Sequence, residues 1–176
     1  MSKNVFSLPE ASKKVDLADF YPLISEMLDQ GGTFSLTITG SSMWPTILGG
    51  RDRVTLVKAP EKLKKYDLPL YRRKNGQFVL HRILSVNEDG TYDCCGDHQT
   101  QIERGLTQEQ MIGLVTDIVR KGKAFSVWNA HYCRWVKFWC AVLRLRPIYF
   151  TIHHINYTIA YYFKILFRKI FGKNRR

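Results

Sequence analysis

Short runs of alternating apolar and polar residues, bounded by turn-forming residues, constrain the fold of this chain more than any other feature. In the clearest run, residues 33–39, Phe34, Leu36 and Ile38 would share one face of a strand. Similar runs occupy residues 53–58, 68–72, 77–86, 90–95 and 112–120. Several short strands separated by turn signals predict a mainly β core. The length of 176 residues accommodates one such domain with an appendage.

A serine follows one of these predicted strands, and a histidine lies within another. Gly40 ends the first run, so Ser42 lies just beyond a strand, with Pro45 stiffening the exit. The run 77–86 carries His81. A serine hydroxyl needs a nearby base to act as a nucleophile, and a neutral histidine supplies one at pH 7. Ser42 and His81 are therefore a candidate nucleophile and general base.

The loop around the serine also offers groups that would stabilise a developing negative charge. Backbone N–H groups of Gly40, Ser41 and Met43 are candidates for an oxyanion hole beside Ser42. Each preorganised donor of this kind contributes about 3–4 kcal/mol to transition-state stabilisation.

The order of short motifs carries a family resemblance. Gly40-Ser-Ser-Met-Trp-Pro45 is followed by a Gly-Arg-Asp box, a Tyr-Asp box, the His81 strand, Gly96-Asp97 and a final Gly-x-Val strand beginning at Gly113. This order resembles the serine peptidase superfamily of signal peptidase I and the LexA-type self-cleaving repressors, over about residues 15–124. It is closest to the endoplasmic-reticulum and archaeal-type signal peptidases, in which histidine replaces the catalytic lysine. The resemblance implies a compact, curved antiparallel sheet with a barrel-like peptidase core.

The resemblance also implies roles for individual residues. Ser42 matches the nucleophile, His81 the general base, and Asp97 the acid that follows the base-bearing strand. Related enzymes carry a second acid six residues further on, where this chain has Glu103. Asp97 lies on the shorter connection from the Tyr92 strand, so we expect it to approach His81 more closely than Glu103 does.

Three positions depart from the family pattern. Gly50-Arg-Asp52 replaces a compact Gly-Asp, Tyr66-Asp67 replaces a second Gly-Asp, and His98 replaces the usual asparagine. The first two are turn positions, so these departures are expected to affect loop geometry more than chemistry. The third leaves open which acid orients the imidazole.

The cysteines do not predict a cofactor. Cys94 and Cys95 are adjacent, and Cys133 and Cys140 are seven residues apart, so neither pair has Cys-x-x-Cys spacing. Zinc ligands normally stand at least two residues apart. We therefore predict reduced thiols, no metal site and no cofactor.

The sequence predicts three regions. Residues 1–32 contain an amphipathic helix that ends at Gly31-Gly32 and no apolar run typical of a signal peptide. Residues 33–124 form the β-rich, peptidase-like core. Residues 125–176 form a basic, aromatic tail with two helices, one over 130–146 and one after Pro147. The second tail helix has a predicted apolar stripe, formed by Ile148, Ile152, Ile155, Ile159, Phe163, Leu166 and Ile170.

The tail carries nearly all of the net charge of +12. Residues 128–176 hold 10 Lys and Arg and no acidic residue, among many aromatic side chains. This composition favours amphipathic helices lying on an anionic membrane surface. A membrane span over the 17 uncharged residues 147–163 is borderline in length and contains two histidines and an asparagine. Nucleic acid binding is a third interpretation, and the least favoured one.

Three functions are compatible with these features. The first is a signal peptidase-like serine endopeptidase that cleaves a precursor peptide or protein near a membrane, with its catalytic domain facing the cytosol. The second is a LexA-like cytosolic peptidase that cleaves itself or a dedicated precursor. The third is a catalytically inactive, membrane-tethered binding module.

Overall fold

The structure is a computed structural model that describes residues 5–7 and 17–171, with side-chain surroundings described for residues 17–165. The described chain contains ten strands and three α-helices. The strands are β1 (Val5–Ser7), β2 (Thr33–Thr37), β3 (Arg53–Lys58), β4 (Pro69–Arg72), β5 (Phe78–Leu80), β6 (Arg82–Val86), β7 (Tyr92–Cys95), β8 (Glu103–Leu106), β9 (Met111–Arg120) and β10 (Lys123–Ser126). The helices are α1 (Leu17–Asp29), α2 (Ala130–Ala141) and α3 (Arg146–Phe171).

The strands form two sheets. The larger has the order β1-β2-β3-β9-β4-β5, and β10 pairs with β9. The smaller consists of β6, β7 and β8. Every pairing is antiparallel except that of β1 with β2. The larger sheet curls into a half-barrel, so the predicted mainly β class with a curved antiparallel core is confirmed.

Strand alternation fills the core as predicted. Phe34 of β2 and Val54 and Leu56 of β3 are buried, and Leu36 and Ile38 pack against the same cluster. A second apolar cluster lies around β4, β6 and β7 and includes Tyr71, Ile83, Tyr92 and Cys94. These two clusters hold the strands that flank the candidate site in a packed interior.

Helix α1 buries Ile24 and Leu28 in the first cluster. It ends as the sequence predicts, because Gly31 adopts a φ of 76° and the N–H groups of Gly31 and Gly32 donate to the carbonyls of Leu28 and Met27. This arrangement satisfies carbonyls at the helix end, and glycine reaches it without steric cost.

The first compact unit extends to residue 141, whereas the predicted core ended at residue 124. Strand β10 pairs with β9, and α2 buries Val136 and Trp139. The indole N–H of Trp139 donates to the backbone carbonyl of Asp97 at 3.0 Å. The first part of the aromatic tail is therefore a structural element of the core.

The second unit comprises residues 142–176 and contains a short 3₁₀ turn at Leu143–Leu145 and helix α3. Pro147 lies in the first turn of α3, where its missing N–H costs no helical hydrogen bond. Five members of the predicted stripe are solvent-exposed: Ile148, Ile152, Ile155, Ile159 and Phe163. The side chains of Leu166 and Ile170 lie outside the described residues. Within the described chain, no helix combines the length and the apolar character needed to cross a membrane.

Candidate active site

Ser42 lies in a loop that is anchored by the residues just after it. Met43 and Ile47 are buried in the main core, and the N–H of Ile47 donates to the carbonyl of Met43 at 2.8 Å. Ser42 itself is half-buried. An apolar neighbour in the core therefore fixes the backbone of the serine while leaving its side chain near the surface.

The Gly-Arg-Asp box closes this loop. Gly50 adopts a φ of 74°, and its N–H donates to the carbonyl of Ile38. Gly49 approaches the carbonyl of Gly40 so closely that a Cβ would clash with it. The Asp52 carboxylate is buried and accepts hydrogen bonds from the N–H of Leu48 at 3.0 Å and from Arg51 and Arg120. The extra arginine is accommodated because the aspartate still holds the turn.

The other altered box is also accommodated in the backbone. Tyr66 has a φ of 79°, a conformation that favours glycine. Its N–H donates to the carbonyl of Ile83 at 2.8 Å, and Asp67 accepts from the N–H of Lys64. Both boxes therefore form turns in this structure, with Gly50 and Tyr66 at positive φ.

Ser42 is held against the segment that follows β7. Its carbonyl accepts a hydrogen bond of 2.7 Å from the N–H of His98. A Cβ on Gly96 would lie 2.6 Å from the same carbonyl, so only glycine allows this approach. The ring of His98 packs against Trp44, with ring centroids 5.0 Å apart. At this position His98 thus supports the serine loop.

The register of β6 and β7 places His81 at the end of the small sheet that the Ser42 loop contacts. Arg82 pairs with Cys95, so one further step sets His81 opposite Gly96, which abuts Ser42. No hydrogen bond joins the hydroxyl of Ser42 to His81 among the described residues. Catalytic hydrogen bonds are often long in the absence of substrate and tighten when it binds.

His81 is buried and is held through one ring nitrogen. Its Nδ1 lies 3.0 Å from a carboxylate oxygen of Glu103 and 3.2 Å from the hydroxyl of Tyr71. Burial lowers the pKa of His81 below its usual 6.5; the charge of Glu103 acts to raise this pKa, and the charge of Arg73 acts to lower it. The imidazole is therefore neutral at pH 7. With Nδ1 engaged by Glu103, Nε2 is the nitrogen available to accept a proton.

Glu103 is itself clamped by Arg73. The Arg73 guanidinium donates to both carboxylate oxygens, with its Nε 2.7 Å from Oε2. Burial acts to raise the pKa of Glu103, but hydrogen bonds from Arg73 and Tyr71 and the charges of Arg73 and His81 lower it overall. Burial and the nearby Glu103 charge raise the pKa of Tyr71 far above its usual range, so its hydroxyl keeps its proton.

The expectation that Asp97 would lie closer than Glu103 to the far ring nitrogen of His81 is wrong. Asp97 is fully buried and forms a two-pronged ion pair with Arg82, at 3.1 Å from Nε to Oδ1 and 2.8 Å from Nη2 to Oδ2. Arg82 also donates to the hydroxyl of Tyr132 in α2 at 3.1 Å. Asp97 therefore ties α2 and the segment after β7 to the strand that follows His81, and Glu103 is the carboxylate that contacts His81.

Three residues of the site were absent from the sequence interpretation: Tyr71, Arg73 and Arg82. Arg82 left a detectable signal, because an arginine within the apolar run Leu80-His-Arg-Ile83 requires a buried anionic partner. The roles of Tyr71 and Arg73 depend on pairing across distant strands and left no local signal.

The thiols near the site are buried. Burial and nearby carboxylates raise the pKa of the Cys94 thiol to about 12, and the Cys95 thiol donates to the carbonyls of Gly96 and Gln99. In the part of the chain that the structure describes, no group of three or more His, Cys, Asp or Glu side chains is arranged to hold a metal ion.

No protein-family model matches this chain, and a search of the curated proteins found no significant match.

Proposed function

We propose that this protein is a serine endopeptidase in which Ser42 is the nucleophile, His81 the general base and Glu103 the acid that orients it. The observation that carries the proposal is the pairing of His81 with Glu103. A buried, neutral imidazole has its Nδ1 on a carboxylate, and the serine loop is fixed beside the opposite strand through Gly96 and His98. Structural burial of a histidine alone requires neither this carboxylate on Nδ1 nor a serine loop bonded to the segment opposite the histidine strand.

The chemistry follows from these contacts. The hydroxyl of Ser42 attacks the peptide carbonyl, and Nε2 of His81 takes the hydroxyl proton. Glu103 stabilises the imidazolium by accepting the Nδ1 proton in a hydrogen bond. The imidazolium then returns a proton to the leaving amine, and water hydrolyses the acyl-enzyme with His81 again as base.

The developing oxyanion requires donors near Ser42. The backbone N–H groups of Ser42 and Met43 donate to no protein acceptor among the described residues, and burial of Met43 fixes the loop that carries them. Rigid, unused donors of this kind stabilise a transition-state charge without reorganising. Gly40 and Ser41, on the same loop, are the further candidates expected from the sequence.

Cleavage of a mixed peptide library tests this proposal across many substrate sequences at once. The purified full chain should generate new peptide N-termini, identified by mass spectrometry, and Ser42→Ala should generate none because the nucleophile is gone. His81→Gln should behave like Ser42→Ala while keeping the wild-type circular dichroism spectrum. New termini of equal abundance with Ser42→Ala would contradict the proposal.

The same samples separate the peptidase from its alternatives. Splitting of the chain itself, seen by intact mass and absent in Ser42→Ala, would favour the self-cleaving LexA-like activity. A well-folded protein that cleaves neither peptides nor itself would favour the catalytically inactive binding module.

We further propose that the tail associates with a membrane surface. Five members of the predicted stripe of α3 are exposed to solvent, and Ile152, Ile159 and Phe163 are each more than half exposed. Trp128 and Phe138 in the first unit are likewise exposed. Since residues 128–176 contain 10 basic residues and no acidic one, the charge of this region complements anionic lipid. This would keep the peptidase core near membrane-bound substrates, on the cytosolic face as the sequence predicts.

Co-sedimentation with vesicles tests this association in the full chain. The wild type should pellet with phosphatidylserine-containing vesicles, and Ile152→Gln with Ile159→Gln should pellet at least about tenfold less, because two buried apolar side chains are each worth about 1.5–3 kcal/mol. The matched control, His153→Gln with Ala160→Gln, changes the same helix away from the stripe. Equal pelleting of all three proteins would contradict insertion of the stripe. Binding to an RNA or DNA oligonucleotide without vesicle binding would favour the nucleic acid alternative.

A further inference from the structure

We infer that Arg73 is a positioning residue of this site: its guanidinium holds Glu103 against His81 and thereby keeps the imidazole in the tautomer with its proton on Nδ1. The inference rests on the proposed function and assigns a role to a residue outside the serine, histidine and acid. Arg73 lies just after β4, and Glu103 begins β8, so the two are brought together only by the fold.

The geometry supports a positioning role for three reasons. First, Arg73 binds both oxygens of Glu103, which fixes the plane of the carboxylate as well as its location. Second, the arginine is itself held, since its Nη1 donates to the side chain of Gln77 across the turn between β4 and β5. Third, the Arg73 and Glu103 side chains are only 31% and 23% exposed, so solvent competes weakly for these hydrogen bonds.

The ion pair of Arg73 with Glu103 affects the pKa of His81 together with the other groups around the ring. Glu103 and Asp97 act to raise the pKa of His81, whereas burial and Arg73 act to lower it. Tyr71 adds a neutral hydroxyl at 3.2 Å from Nδ1. Arg73 thus holds a carboxylate beside the imidazole and at the same time opposes protonation of the ring, which keeps Nε2 free to accept a proton at lower pH.

Loss of the clamp should have two separate consequences. Without Arg73, the repulsion of the imidazolium disappears and both oxygens of Glu103 become free to pair with it, so the pKa of His81 should rise. In the neutral form, Glu103 is no longer fixed, so the fraction of imidazole with its proton on Nδ1 should fall. Arg73→Lys retains the charge and loses the two-pronged geometry, so it should keep a near-native pKa with a mixed tautomer.

Nitrogen NMR of the full-length protein measures both quantities without any activity. The ¹⁵N shifts of the His81 ring report the tautomer and the pKa, with His81→Gln used to assign its signals among the five histidines. We expect the Nδ1–H form in the wild type, a mixed tautomer and a raised pKa in Arg73→Ala, and a mixed tautomer with a near-native pKa in Arg73→Lys. An unchanged tautomer and pKa in Arg73→Ala would overturn the inference.

Arg104→Ala is the matched control. Arg104 is the neighbour of Glu103 in β8, but its side chain is 71% exposed and pairs with Asp93. Its removal should leave both NMR quantities unchanged. A shift of equal size in Arg104→Ala would mean that loss of any nearby positive charge suffices, which would also overturn the inference.

The second test measures kcat, KM and the pH profile for cleavage of a peptide identified in the library. Arg73→Ala should lower kcat about 10- to 100-fold with little change in KM, because misplacement by about 1 Å costs roughly this much, and the acid limb of its pH profile should move to higher pH. If the wild type cleaves no peptide, the proposed function fails, and the NMR arm still decides whether Arg73 positions His81. If the wild type cleaves and Arg73→Ala matches it in kcat and pH profile, the inference alone fails.

Discussion

Replacing Glu103 by glutamine should lower turnover by about four orders of magnitude while leaving the protein folded. The amide of glutamine can still accept a hydrogen bond from Arg73, but it then presents its NH₂ group to Nδ1 of His81. Nδ1 would become an acceptor and Nε2 would carry the proton, which is the wrong tautomer for a general base. The same exchange of carboxylate for amide in a serine, histidine and aspartate triad lowers kcat about 10⁴-fold.

The pH profile should change in a direction opposite to that of Arg73→Ala. The wild-type rate should fall as pH decreases through the pKa of His81, which burial places below 6.5. Since the charge of Glu103 acts to raise that pKa, its loss should move the acid limb of kcat/KM to still lower pH. Measuring kcat/KM between pH 4 and pH 9 for the wild type and Glu103→Gln checks both the magnitude and the sign.

Glu109→Gln is a suitable control for this experiment. It makes the same chemical change at an exposed position six residues away, outside the cluster around His81. It should retain wild-type turnover. If Asp97→Asn lowered turnover more than Glu103→Gln under conditions in which both proteins are fully folded, the orienting role would return to Asp97.

The main strands were predictable because their signal is local. Alternation in 33–39 and 53–58 matches β2 and β3 closely, since each strand has one face in the core and this fixes the period of apolar residues. The positions of Ser42 in a loop after the first strand run and of His81 within the run 77–86 were predictable for a related reason. Ser42 lies in the loop between β2 and β3, and His81 lies between β5 and β6.

The assignment of the acids was not predictable from local signals. β8 begins at Glu103 and reads Glu-Arg-Gly-Leu, which has no apolar–polar alternation, so no strand was predicted there. Its strand exists because Cys94 and Tyr92 of β7 pair with Glu103 and Leu106. Asp97 was expected to be the partner of His81 because it is nearer along the chain. Both of its carboxylate oxygens accept hydrogen bonds from Arg82, and the imidazole contacts Glu103 instead.

The first compact unit ends at residue 141, whereas the sequence analysis began the tail at residue 125. Trp135 and Trp139 share a helical face, and their rings stack with centroids 5.4 Å apart. The structure buries Trp139 against the core and leaves Trp135 39% exposed. A polar atom explains the difference: the indole N–H of Trp139 donates to the carbonyl of Asp97. Amphipathic periodicity identifies a face, but not which surface covers it.

The buried pair of Arg82 and Asp97 leads to the largest expected effect on stability. Replacing Asp97 by asparagine should lower the free energy of unfolding by about 3 kcal/mol or more, because it leaves a buried guanidinium without a counter-charge. Arg82 and Asp97 have side chains only 1% exposed, so water cannot replace the lost carboxylate. The remaining contacts of Arg82, to the carbonyl of Tyr66 and the hydroxyl of Tyr132, are neutral.

Urea unfolding followed by circular dichroism and by tryptophan fluorescence measures this effect. The midpoint should fall with an unchanged slope, since the change acts on the folded state and not on the surface exposed by unfolding. Lys58→Ala removes a solvent-exposed ion pair with Asp29 and should cost no more than about 1 kcal/mol. The loss in Asp97→Asn should be similar at pH 6 and pH 8, because an arginine guanidinium stays charged across this range even without its carboxylate partner.

A double variant distinguishes an unpaired charge from lost packing. Arg82→Met combined with Asp97→Leu removes both charges and keeps similar volumes, so it should recover most of the stability that Asp97→Asn loses. If the double variant were less stable than Asp97→Asn, the pair would be stabilising in itself, through its links to Tyr66 and to Tyr132 of α2. If Asp97→Asn changed the free energy of unfolding no more than Lys58→Ala does, the pair of Arg82 and Asp97 would not stabilise the small sheet. The assignment of a structural role to Asp97 and a catalytic role to Glu103 would then fail.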